Sequence, residues 1–197
     1  MKIVTVSGTC SEVGKTGLVC DLLVRLPGWA AVKVTRGHYR SCGRDPDTCC
    51  VSSLLGDEPR VFGERVDTAV EGKDTGRYWA AGAADVRWVV VSRGQEDEGV
   101  ARALAELRGH PGVVIEGNRV VEGLDPDLAV MVASPGQREV KSSARRIVDK
   151  VDALYVPEEN GGAGDPGALV GAPGAWRRPV WGPEDLDRIA AELRAGV

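Results

Sequence analysis

Short runs of apolar residues recur along this chain and are separated by segments in which apolar residues are spaced differently. The runs cover residues 2–6, 30–35, 86–91, 113–115, 128–132 and 153–156. Strands that are covered on both faces of a parallel sheet have this appearance, because every side chain is buried and the run is rich in Val, Ile and Ala. The pattern therefore predicts six buried strands.

Between several of these runs, apolar residues recur at intervals of three and four, which is the spacing of one helix face. Helices are predicted after residue 17, around residue 100, at 142–148 and near the carboxyl end, where Pro183 is suited to a first helical position. The residues expected to face inward are Leu18, Val19, Leu22, Leu23, Leu26, Val100, Ala103, Leu104, Leu107, Leu186, Ile189, Ala190 and Leu193. This alternation predicts an α/β fold with a mostly parallel sheet.

Two segments interrupt the alternation. Residues 36–64 form a long connection with three cysteines, and residues 158–174 are so rich in Gly, Ala and Pro that we expect a loop or a mobile flap. A chain of 197 residues can bury a substantial core within one domain. We therefore expect a single domain, residues 1–197, that carries both segments.

The net charge of the chain and the length of its apolar stretches exclude two classes of protein, those that bind nucleic acid and those that span a membrane. The chain has 25 basic and 29 acidic residues, for a net charge of −4, and no run of Lys and Arg that would attract nucleic acid. No apolar stretch approaches the length that spans a membrane, and the first residues read as a strand instead of a cleavable signal. We expect a cytoplasmic protein that binds neither nucleic acid nor a membrane.

The stretch VSGTCSEVGKTG, residues 6–17, joins the first strand to the first helix. Its glycines allow a tight turn that brings backbone N–H groups to an anion, Lys15 is suited to the β- and γ-phosphates, and Thr16 to Mg²⁺. A helix beginning at Lys15 adds the positive end of its dipole. An ordinary Gly-rich turn is the alternative. The residues predicted to bind nucleotide are Gly8, Thr9, Cys10, Ser11, Glu12, Val13, Gly14, Lys15, Thr16 and Gly17.

Two charged residues at the ends of predicted strands are further candidates. Glu116 follows the run at 113–115 and is placed like the acidic group that holds Mg²⁺ at the carboxyl edge of such a sheet. A turn carboxylate is the alternative. Lys33 lies near the end of the second run, where it would contact a terminal phosphate or an acidic substrate, or form a surface ion pair. We assign candidate catalytic roles to Lys15 and Lys33.

The cysteines suggest a second site. His38, Cys42, Cys49 and Cys50 fall in the segment 36–64, and Cys10 lies in the Gly-rich loop. In a cytoplasmic protein this grouping favours metal or redox chemistry over a structural disulfide, although the spacing matches no standard zinc or iron–sulfur pattern. Ordinary thiols are the alternative. Cys20, on the first predicted helix, is expected in the core.

Residues 72–83, GKDTGRYWAAGA, resemble the G-K-D-[ST]-x-R…A-G-A signature of the molybdopterin-guanine dinucleotide biosynthesis protein B (MobB) family. The order of the other landmarks is similar over about residues 2–156. The resemblance implies a P-loop NTPase sandwich that binds GTP with Mg²⁺, forms a homodimer and serves as an accessory factor to a partner protein in molybdenum-cofactor biosynthesis. No residue is recognisable as a necessary general base, so hydrolysis is expected to be slow at most. Lys73, Asp74 and Arg77 become candidate ligand or partner contacts, with Asp74 as a helix N-cap in the simpler interpretation.

The Gly-rich loop resembles a second family. GTCSEVGKT is similar to the dethiobiotin synthetase loop G-T-D-T-E-V-G-K-T, with the same five-residue gap between glycines, although Cys10 replaces an aspartate. That resemblance implies an ATP-dependent carboxylase or ligase, and the cysteines leave a metal-handling NTPase as a third hypothesis. The MobB-like interpretation ranks first because its signature is longer and lies away from the generic phosphate loop. The sequence does not decide between GTP and ATP.

Overall fold

The computed structural model describes residues 1–37, 51–135, 139–157 and 165–196. Their strands form one eight-stranded sheet with the order β3-β4-β2-β5-β1-β6-β7-β8. Neighbouring strands are parallel except for β3 and β4. The strands are β1 Lys2–Gly8, β2 Ala30–Arg36, β3 Arg60–Phe62, β4 Val86–Val91, β5 Gly112–Glu116, β6 Leu128–Val132, β7 Ala153–Tyr155 and β8 Val180–Trp181. The predicted mostly parallel α/β sheet is confirmed.

Helices cover both faces of the sheet. They are α1 Lys15–Arg25, α2 Arg65–Thr68, α3 Asp74–Ala80, α4 Glu96–Glu106, α5 Val120–Gly123, α6 Ser142–Arg145, α7 Pro166–Leu169 and α8 Leu186–Ala195. Short 3-10 helices occupy Ser52–Leu54, Val148–Lys150 and Pro183–Asp185. The helix predicted at 142–148 is shorter than expected, because α6 ends at Arg145 and a separate 3-10 turn follows.

Alternate residues of each central strand pack into different cores. On β5, Val114 joins the core formed with α1, α3 and α8, whereas Val113 and Ile115 join the core formed with α4. A third core surrounds Met131 of β6 and Ile147. Burial on both faces explains why the central strands read as continuous apolar runs.

Strand β1 lies at the point where the order of the strands changes direction. Val4 pairs with Val114 of β5 on one side and with Leu128 of β6 on the other. In open α/β sheets, ligands bind outside the carboxyl ends of the strands at such a point. The Gly-rich loop therefore leaves the sheet where the fold favours a ligand site.

Two edge strands escape prediction from sequence. β3 has three residues and pairs antiparallel with β4 inside the segment expected to be a long connection, and β8 has two residues. Strands this short carry no recognisable apolar period. In the Gly-rich segment 158–174, α7 begins after Asp165, whose side chain caps it by accepting a hydrogen bond from Gly167 N at 3.0 Å.

Within the described ranges, every helix is too short or too polar to cross a lipid bilayer.

Candidate functional site

The loop between β1 and α1 has the backbone of a phosphate loop. Gly14, the N-cap of α1, has φ of 100°, a conformation that side chains with a Cβ rarely adopt, so glycine is needed there. Glu12 also has positive φ, 59°. The loop thereby delivers Lys15 as the first residue of α1, where unpaired helical N–H groups and the helix dipole favour an anion.

Gly8 is held from outside the loop by Asn118. Asn118 Oδ1 accepts from Gly8 N at 2.9 Å and Asn118 Nδ2 donates to Gly8 O at 2.8 Å, so one side-chain amide pairs with both backbone groups. A Cβ on Gly8 would stand 2.7 Å from Val13 and 2.8 Å from the Lys15 side chain. Because glycine has no Cβ, Val13 and Lys15 can pack closely against the end of β1 at position 8.

Some predicted loop residues face the protein instead of the ligand side. Thr9 is fully buried, and both its N–H and its hydroxyl donate to Val132 O, at 3.0 and 3.3 Å. Val13 is 4% exposed and belongs to the core beneath α1. Thr9 stands where the common P-loop has glycine, and the structure shows it tying the loop to β6.

Of the other loop residues, Ser11, Glu12, Gly14, Lys15, Thr16 and Gly17 line a cleft of about 710 Å³, whereas Gly8 and Cys10 do not. Residues 11–17 form one side, Glu116 comes from the carboxyl end of β5, and Asp74 and Arg77 come from α3. Lys33, expected at the end of its strand, instead lies in the middle of β2, because that strand continues to Arg36. The far side consists of Tyr155, Pro157 and Pro183. The structure thus brings together most of the predicted site residues, from segments that are distant in sequence.

Glu116 is the centre of a buried network in this cleft. It is 1% exposed, and its carboxylate accepts hydrogen bonds from Thr16 Oγ1 at 2.9 Å, from Lys33 Nζ at 2.5 Å and from the hydroxyl of Tyr78. Lys33 Nζ also lies 2.5 Å from Asp74 Oδ2. Lys33 and Glu116 are register partners on the neighbouring strands β2 and β5, which explains why they meet.

The network shifts the proton affinities of its members. Burial alone would lower the pKa of Lys33, but the charge of Glu116 and hydrogen bonds to Asp74 and Glu116 outweigh it and raise that pKa. Burial alone would raise the pKa of Asp74, but the hydrogen bond to Lys33 and the charge of Lys33 outweigh burial and lower that pKa. Burial, followed by the negative charge of Glu116, raises the pKa of Tyr78 well above its ordinary value. At neutral pH, Lys33 and Asp74 are therefore charged and Tyr78 keeps its proton.

Among the described residues, no carboxylate is paired with Lys15. Its ammonium donates to Cys10 O at 3.2 Å, inside the loop. Burial lowers the pKa of Lys15, and the positive charges of Lys33 and Lys141 act in the same direction against the attraction of Glu116. A phosphate beside this ammonium would relieve the repulsion, which is the electrostatic property that the predicted role requires.

The donor set beside Lys15 fits Mg²⁺. The Thr16 hydroxyl and the buried Glu116 carboxylate supply oxygen atoms at the carboxyl edge of the sheet, and Asp74 offers a second carboxylate. Mg²⁺ prefers oxygen ligands and is usually held by one or two carboxylates together with water and substrate phosphates. Thr16 and Glu116 would hold the ion, which when bound neutralises charge on phosphate oxygens.

The block 72–83 forms a wall of this site. Asp74 and Tyr78 of α3 contact Lys33 and Glu116, and the exposed Arg77 lines the cleft. The N-cap interpretation of Asp74 is wrong, because α3 begins at Asp74 with Lys73 as its N-cap residue and no side chain caps the helix. Lys73 lines a separate cavity beside Trp88. Asp74 and Arg77 are therefore the residues of the block that line the cleft.

The four residues of the candidate second metal or redox site, His38, Cys42, Cys49 and Cys50, all lie outside the described residues. Within the described ranges, no three His, Cys, Asp or Glu side chains are grouped as metal ligands. Cys20, which was expected in the core, is only half-buried and packs against the core from outside, and Cys10 lies in the loop.

Three site residues were not predicted from the sequence. Asn118 holds Gly8, Tyr78 donates to Glu116, and Lys141 Nζ donates to Ser11 Oγ at 2.5 Å. Asn118 follows Glu116 by two residues at the end of β5, so its position at the ligand edge was a usable signal. Tyr78 reads as an ordinary inward-facing helix residue, and Lys141 lies beyond any recognisable motif.

Neither a protein-family model nor a curated protein matches this sequence. Among solved structures, the chain is similar to LpxK from Aquifex aeolicus in complex with ATP, with 13% identity and a TM-score of 0.50 over 92% of this chain and 53% of that one. It is also similar to the signal recognition particle receptor FtsY from Elizabethkingia anophelis in complex with GDP, with 15% identity, a TM-score of 0.42, and 91% and 55% coverage.

A third similar structure is a molybdopterin-guanine biosynthesis protein B, with 16% identity, a TM-score of 0.39 and 99% coverage of both chains. The present chain spans about half the length of LpxK and of FtsY. At these identities, the likeness to LpxK concerns the fold alone. The chain has the P-loop NTPase fold, a mostly parallel sheet flanked by helices.

Proposed function

We propose that this protein binds a purine nucleoside triphosphate together with Mg²⁺ in the cleft beside residues 11–17, and that it is an accessory factor in molybdopterin guanine dinucleotide biosynthesis. The observation that carries the nucleotide part is the meeting of Thr16 and Lys33 on the buried carboxylate of Glu116, directly beside Lys15. This arrangement unites a phosphate-binding cation and oxygen ligands for Mg²⁺ at the end of a Gly-rich loop.

The role of each residue follows from its place in the cleft. Lys15 and the first N–H groups of α1 would bind the β- and γ-phosphates. Thr16 and Glu116 would hold Mg²⁺. Arg77, which is exposed and lines the cleft, would meet the nucleotide or a partner. The far wall of Tyr155, Pro157 and Pro183 has no side chain that reads a purine unambiguously, so the preference for GTP rests on the MobB resemblance.

Hydrolysis by the isolated protein should be slow. Glu116 accepts from Thr16, Lys33 and Tyr78, and Asp74 is paired with Lys33, so these two carboxylates of the cleft are already engaged. A general base must be within reach of the attacking water, and positioning supplies most of P-loop catalysis. A homodimer partner or a second protein covering the open cleft would complete the site.

The molybdenum-cofactor part of the proposal rests on the block 72–83. Its resemblance to the MobB signature gains weight from Asp74 and Arg77, which line the cleft, and from Tyr78, which donates a hydrogen bond to Glu116 from the core. A signature concerned only with folding would be expected to face the core throughout. The dethiobiotin synthetase resemblance concerns mainly the loop. A loop of this kind binds phosphate in many P-loop proteins, so it favours no particular reaction.

Calorimetric titration with ATP and GTP, each with and without Mg²⁺, tests the nucleotide part. The Lys15→Ala variant is expected to bind about 10- to 150-fold more weakly, because it loses one charge-assisted contact worth about 1.5 to 3 kcal/mol. Lys150→Ala is the matched control, since Lys150 is exposed and its ammonium, within the part of the chain that the structure describes, donates only to Glu122 O, at 3.4 Å. Equal affinity of Lys15→Ala and the unchanged protein for both nucleotides would refute the proposal.

A phosphate-release assay separates an accessory factor from a ligase. We expect a homodimer in sedimentation, GTP binding at least as tight as ATP binding, and little hydrolysis by the protein alone. A ligase similar to dethiobiotin synthetase would instead turn over ATP rapidly when diaminopelargonate and bicarbonate are supplied. That result, with strict selectivity for ATP, would reverse the ranking of the two functions.

A further inference from the structure

A second cavity adjoins the proposed nucleotide cleft. It has a volume of about 550 Å³, and Lys15, Lys33 and Glu116 line both spaces. The second cavity lies towards the end of β2 and the loop after β5, and it is bounded by Cys10 of the Gly-rich loop and by α6. A ligand in it would therefore stand beside the end of the nucleotide that Lys15 contacts.

The described lining of this cavity is strongly cationic. Two carboxylates, Glu96 and Glu116, face six cations, an excess of four positive charges. The six cations are Lys15, Lys33, Arg36, Arg119, Lys141 and Arg146. The whole chain has a net charge of −4, so this concentration of positive charge is local and opposes the average. Such a concave basic surface attracts small anions.

The triphosphate alone does not account for these cations. Arg36, Arg119 and Arg146 line the second cavity and are not part of the lining of the nucleotide cleft. The first two lie at the end of β2 and in the loop after β5, and Arg146 follows α6. Three separate elements therefore bring guanidinium groups to a space next to the nucleotide.

Two of these guanidinium groups are held but not satisfied. Glu96 Oε1 lies 3.5 Å from Arg36 Nη1 and 3.7 Å from Arg119 Nη1, close enough for attraction but too far for a hydrogen bond. Arg36 Nη1, Arg119 Nε and Glu96 Oε1 are all buried without a hydrogen-bond partner in the described structure. Glu96 is itself fixed, because its other oxygen accepts from Gly94 N at 2.7 Å.

Buried unpaired donors are costly, and guanidinium groups prefer two-point contact with carboxylate or phosphate. Glu96 keeps Arg36 and Arg119 in place while leaving donors for another anion. Ser142 and Ser143 add hydroxyl groups to the same lining.

We propose that this cavity binds a second, small ligand through a phosphate or carboxylate group, with Arg36 and Arg119 as its principal contacts and Arg146 as an additional one. The shared chemistry is an oxyanion on a molecule small enough for about 550 Å³. The position of this ligand beside the terminal phosphate rests on the proposed function, whereas the anion site itself rests on the second cavity.

The test is a pair of anion titrations on the full chain saturated with Mg²⁺ and a non-hydrolysable nucleoside triphosphate, which keeps the probes out of the Gly-rich loop. Glycerol 3-phosphate probes phosphate binding and malonate probes carboxylate binding. Arg119→Gln is expected to weaken binding of the preferred probe roughly tenfold or more, because a charge-assisted contact is lost. Arg146→Gln serves as a second variant, because Arg146 is exposed and its replacement leaves the packed core unchanged.

Arg102→Gln is the matched control, since Arg102 is exposed on α4 and pairs with Glu58 and Glu98 away from the cavity. Its probe affinity should not change. If nucleotide binds but neither probe binds, or if Arg119→Gln and Arg146→Gln bind the probe as tightly as Arg102→Gln, the anion site is refuted and the proposed function stands. If nucleotide fails to bind while glycerol 3-phosphate or malonate binding depends on Arg119, the anion site stands and the proposed function is refuted.

Discussion

The hydroxyl of Tyr78 donates a hydrogen bond to the carboxylate of Glu116, and both residues are almost entirely buried, at 0% and 1% exposure. The contact links α3 to the carboxyl end of β5. It fixes the carboxylate that is the candidate Mg²⁺ ligand, and a buried carboxylate requires such donors because its desolvation is expensive. Glu116 is therefore both the candidate Mg²⁺ ligand and a residue on whose hydrogen bonds the stability of the fold depends.

Replacing Tyr78 with Phe removes this donor while keeping the ring in the core. We expect the free energy of unfolding to fall by about 1.5 to 3 kcal/mol, the usual contribution of a hydrogen bond to a charged group. Urea unfolding measures it. In a Glu116→Gln background the same change should cost less, because the acceptor is neutral there, and an equal cost in both backgrounds would contradict the contact.

Replacing Lys33 with Met leaves Glu116 buried without its cation. We expect a loss of about 3 to 5 kcal/mol of unfolding free energy, as found when one partner of a buried ion pair is removed. The double variant Lys33→Met/Glu116→Gln should recover much of it, since the buried charge is gone. Lys2→Met is the control, because its partner Asp127 is exposed and such pairs contribute less than about 1 kcal/mol.

The contribution of Lys33 to stability should depend on pH only at the extremes. Its pKa is raised in the folded protein, so the stabilisation is complete below about 10.4, the ordinary lysine value, and is lost as the pH rises through the folded pKa. The pKa of Asp74 is lowered, so its stabilisation is present above about 3.9 and is lost as the pH falls through the folded pKa.

Unfolding of the unchanged protein and of Lys33→Met should therefore differ by a constant amount between about pH 5 and 9. Below and above that window the difference should shrink. A difference that changed steeply near pH 7 would show that another titrating group is linked to Lys33.

Asn118→Leu removes both hydrogen bonds to Gly8. Gly8 is buried, so its N–H and C=O would lose their partners, and we expect about 2 kcal/mol or more of destabilisation together with weaker nucleotide binding. Ser143→Ala is the matched control, because Ser143 contacts the same amide at 3.2 Å without touching Gly8. Equal effects of the two substitutions would show that the pairing with Gly8 has no special role.

The cysteine segment keeps its own prediction. If His38, Cys42, Cys49 and Cys50 hold a metal, protein purified without oxygen should contain nearly stoichiometric zinc or iron. Elemental analysis measures the metal, and titration of thiols with and without denaturant measures which cysteines are free. Protein without metal but with freely reacting thiols would favour ordinary cysteines in this segment.

The arrangement of strand, Gly-rich loop and helix was determined by the sequence itself. Burial on both faces makes a strand continuously apolar, one-sided burial gives α1 its three- and four-residue spacing, and the loop needs glycine at position 14 for its positive φ. These are local requirements, so a local pattern reveals them. The short strands β3 and β8 have too few residues to show such a local pattern. The same reason left the bounds of the short helix α6 unpredicted.

Only the tertiary structure decided which side chains meet. Lys33 and Glu116 are 83 residues apart and Tyr78 and Glu116 are 38 apart, and each pair meets because β2 lies next to β5 and α3 packs against β2 and β4. Strand order is set by the packing of whole crossovers, which no local periodicity encodes. The second cavity has the same origin, since Arg36, Arg119 and Arg146 become neighbours only at the shared carboxyl edge of the sheet.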